Sequence, residues 1–168
     1  QTDTPAFRKW FGDSKVVDDQ GKPLVVYHGT TADFSAFDPA MLGKSTMHPT
    51  AQLGFFFSAD PEVASLFTEK VDETQWPPRL KPMDRANLMP IYLAIKNPFE
   101  MDVETFRRVQ AVPYGEDFER EQPVAAKRQH DWIAKNKERL LAQGYDGIHI
   151  KGDPKYADVM SGEEYAAD

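Results

Sequence analysis

Two short runs hold most of the chemistry this chain can offer: VYHGT at residues 26–30 and GFFFS at residues 54–58. Each is an apolar run that ends on small polar residues, and the first carries a histidine into its tip. If both are strands, successive side chains point to opposite faces, so Phe55 and Phe57 share one face and Phe56 takes the other. Taken alone, His28 is a structural histidine and GFFFS is core. The other histidines, His48, His130 and His149, show neither pairing nor a metal-binding spacing such as HExxH, and no metal site is expected. There are no cysteines, which excludes disulfides, zinc–thiolate sites and a cysteine nucleophile. A phosphate loop, a GxSxG elbow and a GxGxxG fingerprint are also absent, which disfavours Rossmann-type use of a dinucleotide.

These tips need elements to position them, and the chain reads as mixed α and β without repeats. Thr4 and Pro5 start a short helix over AFRKWF, with Phe7, Trp10 and Phe11 at helical spacing and Gly12 as the stop. SKVVDDQGKPLVVYHGT reads as strand, turn and strand, a local hairpin around DDQG. Residues 32–54 form a long loop with one helical turn. GFFFS is a strand, and Asp60-Pro61 opens a helix through EVASLFTEK with Val63, Ala64 and Phe67 on one side. Residues 74–87, with Pro77, Pro78 and Pro82, read as irregular. MPIYLAIKNPFEM returns to strand and halts at Asn97-Pro98. Residues 103–109 and 123–143 read as helices, the second ended by Gly144, with Trp132, Ile133, Leu140 and Leu141 inward. A strand in YDGIHIK and a second one near the end complete the order.

Composition narrows the function classes. The 168 residues are 40% hydrophobic and 12% aromatic, enough for one compact domain over 1–168. A formal charge of −7 gives no general attraction to phosphate backbones or anionic membranes, so protein and small-molecule partners are expected ahead of nucleic acid. No apolar stretch approaches the roughly 20 residues that span a bilayer. The first residue is not methionine and the last segment is acidic, which reads as a domain excised from a longer protein. The expected state is a monomer.

The ordered set of motifs resembles the ADP-ribosyltransferase superfamily, on its diphtheria-toxin and poly-ADP-ribose-polymerase side. More narrowly, FRKWFGDSKVVDDQGKPLVVYHGT, FSAFDP, GFFFSADPEVASLF, MPIYLAIKNPFEM and GYDGI, in that order over residues 7 to about 150, are similar to the ADP-ribosyltransferase domains of phage and mobile-element polyvalent proteins. The resemblance implies an α+β fold: a split antiparallel β core of two small sheets, with flanking helices around an NAD cleft. It implies a mono-ADP-ribosyltransferase that moves ADP-ribose from NAD to a protein acceptor and releases nicotinamide. The alternatives are an NAD glycohydrolase and a catalytically inactive binding module of the same fold.

Residue by residue, the resemblance assigns His28, Gly29, Thr30, Phe56 and Ser58 to NAD binding, and His28, Phe56 and Glu164 to catalysis. Gly29 would hold the nicotinamide carboxamide through its backbone, His28 a ribose hydroxyl, and Phe56 the pyridine ring. Phe56 stands where the family pattern has tyrosine. Glu164 in SGEEYAAD is the best match to the catalytic glutamate and Glu163 the next. Effector or toxin use, with delivery into a target or host cytosol as part of a larger protein, is a further implication; the compartment itself is open.

Overall fold

The computed structural model describes residues 2–44, 49–72, 74, 76, 79–110, 118–152 and 164–167. Helix α1 (Pro5–Phe11) forms as its sequence predicts. Thr4 Oγ1 accepts from Phe7 N at 3.1 Å, Pro5 opens the first turn, and Gly12 closes it at φ 55°. Strand β1 (Val26–Thr30) follows, then a long loop with two short 3-10 turns (Pro39–Met41 and Pro49–Gln52), then β2 (Phe55–Ser58). Helix α2 (Pro61–Ser65) is capped by Asp60, whose side chain accepts from Glu62 N. It is shorter than its sequence suggests: a 3-10 turn over Leu66–Thr68 leads into β3 (Glu69–Asp72), which pairs with β4 (Arg79–Pro82). The stretch read as irregular is therefore partly a separate two-stranded sheet. β5 (Asn87–Ile91) and β6 (Pro98–Asp102) replace the single expected strand, and α3 (Val103–Gln110), α4 (Phe118–Ala142), β7 (Gly147–Lys151) and β8 (Glu164–Ala167) complete the order.

Six strands form one sheet in the order β5-β1-β2-β8-β7-β6. All neighbours are antiparallel except β6 and β7, which run parallel because α3 and α4 carry the chain back across the sheet. The expected local hairpin before β1 shrinks to an isolated bridge, Val17 to Pro23, and β1 pairs instead with distant β5 and β2. The two pairings are unequal. β1 registers with β5 at every residue from Val26 to Thr30, whereas its ladder with β2 is the single pair Tyr27 and Ser58. The sheet thus divides at a seam, β5-β1 on one side and β2-β8-β7-β6 on the other, within the mixed α+β architecture the sequence implied.

Each face of the sheet has its own core. On one, Val26 of β1 and Phe57 of β2 pack with Val16, Leu93 and Ile95. On the other, Met101, Ile148 and Ile150 meet Val103 and Phe106 of α3 and Ile133 and Leu140 of α4, with Phe56 against them. The aromatic run of β2 feeds both cores because its side chains alternate. Asp146 ties the two turns at the far end: its carboxylate accepts from Lys96 N and Asn97 N, both at 2.8 Å, while Asn97 Nδ2 donates to Gly144 O. GYDG is thus a clamp on the start of β6.

Candidate functional site

At the seam, a side chain stands in for a ladder. Beyond the pair of Tyr27 and Ser58, β1 and β2 exchange no further register pair, and His28 Nδ1 lies 2.8 Å from the carbonyl oxygen of Phe56. A carbonyl only accepts, so Nδ1 carries the proton and, on the neutral ring, Nε2 is left as an acceptor. Burial pushes the His28 pKa below its ordinary 6.5, while the bond to Phe56 works the other way and does not prevail. A neutral imidazole with one nitrogen committed to the backbone and the other available is a fixed hydrogen-bond acceptor, suited to a hydroxyl.

Four rings surround it. Phe34, Phe37, Phe55 and Phe57 have centroids 6.1, 5.1, 6.4 and 5.5 Å from that of His28. The Phe56 ring lies on the other face of the sheet, 5.8 Å from Phe106, so the structure brings the Phe56 carbonyl to His28 and takes the ring away from it. The reading of Phe55 and Phe57 as core holds, and both also line the imidazole.

Gly29 has a reason the sequence did not disclose. A Cβ built there would fall 1.9 Å from Ala64 O and 3.2 Å from Thr68 Cγ2. Helix α2 and the turn after it press directly on the β1 backbone, so glycine is required by packing whatever a ligand adds. Thr30 is buried and its Oγ1 accepts from Ala32 N at 3.1 Å, turning the chain out of β1. Ser58 is 3% exposed and its Oγ accepts from Asp60 N at 3.1 Å, which fixes the turn into α2. Of Glu164 the backbone position is described: its Cα pairs with Ser58, which pairs with Tyr27, one row across β8, β2 and β1. Glu163 and His48 lie outside the described residues.

Sequence reasoning missed Phe67. Helical spacing put it inward with Val63 and Ala64, but α2 ends at Ser65 and Phe67 stands 58% exposed on the 3-10 turn, one residue before Thr68, whose methyl a Gly29 side chain would meet. Early loss of the helical period would have been the signal, and it is not local to Phe67.

A profile of the family described as ADP-ribosyltransferase in polyvalent proteins matches residues 18–166. The chain belongs to this family. No curated protein matches it, and no solved structure does. In this ADP-ribosyltransferase domain the matched span contains both strand tips, the seam and β8 up to Ala166. No group of three or more metal-binding side chains occurs among the described residues, and no helix among them is long and apolar enough to cross a membrane. An ionic cluster lies elsewhere, on β6 and β7. There His149 Nδ1 lies 3.1 Å from Glu100 Oε1, and Lys151 pairs with the same carboxylate. Partial burial would raise the Glu100 pKa, but its bonds to Lys151 and His149 hold it below the usual carboxylate range.

Proposed function

We propose that the domain transfers ADP-ribose from NAD to a protein acceptor, with the seam between β1 and β2 as the nicotinamide and ribose site. The observation that carries this reading is the His28 imidazole, bonded through Nδ1 to the Phe56 carbonyl where the two strands part, in a chain of the ADP-ribosyltransferase family. Nε2 accepts from a ribose hydroxyl of NAD and fixes the ribose. The bond from ribose C1′ to the nicotinamide nitrogen breaks with its electron pair leaving on nicotinamide, and positive charge develops on the ribose as in glycoside cleavage. An acceptor oxygen or nitrogen then bonds to C1′ and gives up its proton. Glu164 is the carboxylate that the family resemblance assigns to that charge and to orienting the acceptor. Gly29 lends its backbone to the carboxamide, Thr30 and Ser58 hold the two strand ends, and Phe56 supports from the far face.

The flat apolar wall for the pyridine ring is assigned to Phe67, an exposed phenyl ring on the turn that packs on Gly29 through Ala64 and Thr68, since such a ring gains from being covered. Phe56 without a hydroxyl favours one second reading, a domain that binds NAD and does not turn it over.

The test is incubation with labelled NAD and a cell lysate, following nicotinamide release and ADP-ribose on protein by mass spectrometry. His28→Ala is expected to lower both by on the order of 10²-fold. Full turnover in that variant overturns the site. Release without protein labelling identifies an NAD glycohydrolase, and binding without release identifies the inactive module.

A further inference from the structure

The FSAFDP motif follows VYHGT by only a few residues, and neither the fold nor the reaction above gives it a task. In three dimensions it folds straight back onto the strand it has left. Thr30 Oγ1 accepts from Ala32 N and begins the reversal, and Asp38 ends the segment by accepting from Ala40 N at 2.9 Å. Between these two fixed points Phe34 and Phe37 come down on the imidazole. Phe37 meets it at an interplanar angle of 81° and Phe34 at 63°, and the two phenyl rings touch each other at 5.0 Å and 72°. Phe37 is itself seated on β2, 5.0 Å from Phe55 and 5.3 Å from Phe57.

We propose that Phe34 and Phe37 are positioning residues for His28, a clamp that holds the imidazole in one rotamer and one tautomer at the strand tip. This rests on the reading of His28 as the ribose contact. A ring flip about the Cβ–Cγ bond would exchange Nδ1 with a carbon and break the bond to Phe56. Edge-to-face neighbours on the imidazole make that flip cost packing as well as a hydrogen bond. The spacing of two residues between the phenylalanines lets both rings reach the same target from one turn of loop. The four rings in contact with the imidazole are uncharged, and the residue in register with His28 on β5 is Met89. The acidic groups of the clamp segment, Asp33 and Asp38, are exposed, and Asp38 is committed to Ala40 N. Burial of the imidazole lowers the His28 pKa, and these rings are part of what buries it.

The experiment uses the whole chain with ¹⁵N-labelled histidine. Long-range imidazole spectra of the wild type are expected to show His28 as the single Nδ1-protonated neutral form. Phe34→Ala and Phe37→Leu are expected to convert it to a mixture of tautomers, with kcat for nicotinamide release down roughly ten- to a hundredfold and KM for NAD changed by less than about threefold, the pattern of a misplaced group rather than a lost binding contact. Phe37→Tyr, which keeps the ring, should restore the single tautomer. Phe34→Ala serves where the Phe37 variant folds poorly, because Phe37 also packs on the core. A His28 spectrum unchanged in both variants overturns the clamp. The spectra need no NAD, so the clamp can stand or fall independently of whether nicotinamide is released.

Discussion

Gly29→Ala is the sharpest probe of the geometry. The added methyl would sit 1.9 Å from Ala64 O and 3.0 Å from Ala64 C, both backbone atoms, and 3.2 Å from Thr68 Cγ2. Reaching an ordinary contact of 3.4 Å with the carbonyl oxygen requires β1 and α2 to separate by roughly 1.5 Å, and no side-chain rotation can absorb that. Overpacking of this kind costs about 3 kcal/mol, the upper part of the usual range. For a chain of this size each kcal/mol lowers Tm by about 2–4 °C, so a fall of roughly 6–12 °C is expected in thermal unfolding followed by circular dichroism. Gly21→Ala is the control: nothing lies within 4 Å of its Cβ, but its φ of +73° makes alanine strained, at about 1 kcal/mol. Nicotinamide release should fall with Gly29→Ala and not with Gly21→Ala. A Gly29→Ala protein melting within about 2 °C of the wild type would refute the close packing of α2 on β1, even if its NAD turnover were lost.

Three further outcomes follow from the same structure. Phe67→Ala, at an exposed position, should change stability by no more than about 0.5 kcal/mol while raising KM for NAD roughly tenfold, read by melting and by initial rates. Because burial lowers the folded-state pKa of His28 below 6.5, the unfolded chain binds the proton first as pH falls. The stability tied to the neutral ring is thus full above 6.5 and is lost as pH drops through the lower folded value. Melts at pH 7.5 and 5 should therefore show a smaller loss for His28→Asn, which does not titrate, than for the wild type, and equal losses would reject the shift. Asp146→Ala removes the acceptor for Lys96 N and Asn97 N and should cost about 1–2 kcal/mol in denaturant unfolding, with Asp146→Asn intermediate.

What the sequence disclosed was what neighbouring residues decide among themselves. Thr4, Pro5 and Gly12 cap and stop α1 within one short segment, and the β-rich runs FFFS and GIHIK form strands as their composition implies. What it hid depends on distant partners. The residues before β1 look like one arm of a hairpin, yet β1 satisfies its backbone with β5, some 60 residues on, and leaves Val17 and Pro23 a lone bridge. MPIYLAIKNPFEM looks continuous, but Asp146 from beyond α4 seizes Lys96 N and Asn97 N and resets the chain there. The proline-rich stretch conceals β4, which exists because β3 is opposite. The same division runs through the site. His28 and Gly29 stood out by motif, whereas the carbonyl pressing on Gly29, the ring exposed at Phe67 and the fold-back of Phe34 and Phe37 all arise from contacts between separate elements.

The seam ties these observations to the chemistry. Two strands paired at one residue are a poor junction unless something else holds them, and here three devices do: the imidazole on the Phe56 carbonyl, α2 wedged against Gly29, and β8 and β5 bracing the outer edges of β2 and β1. The first of them can be present only if the strands diverge after Tyr27, because a continued ladder would bring Gly29 opposite Phe56 and consume the carbonyl that His28 now uses. The divergence that forfeits backbone pairing is thus what fixes the histidine, and the group proposed to hold the ribose is also a strut of the sheet. Substitutions at His28 should accordingly trade stability against turnover: replacements that keep a donor to the Phe56 carbonyl retain the fold better than alanine, while only an acceptor at the Nε2 position sustains the reaction.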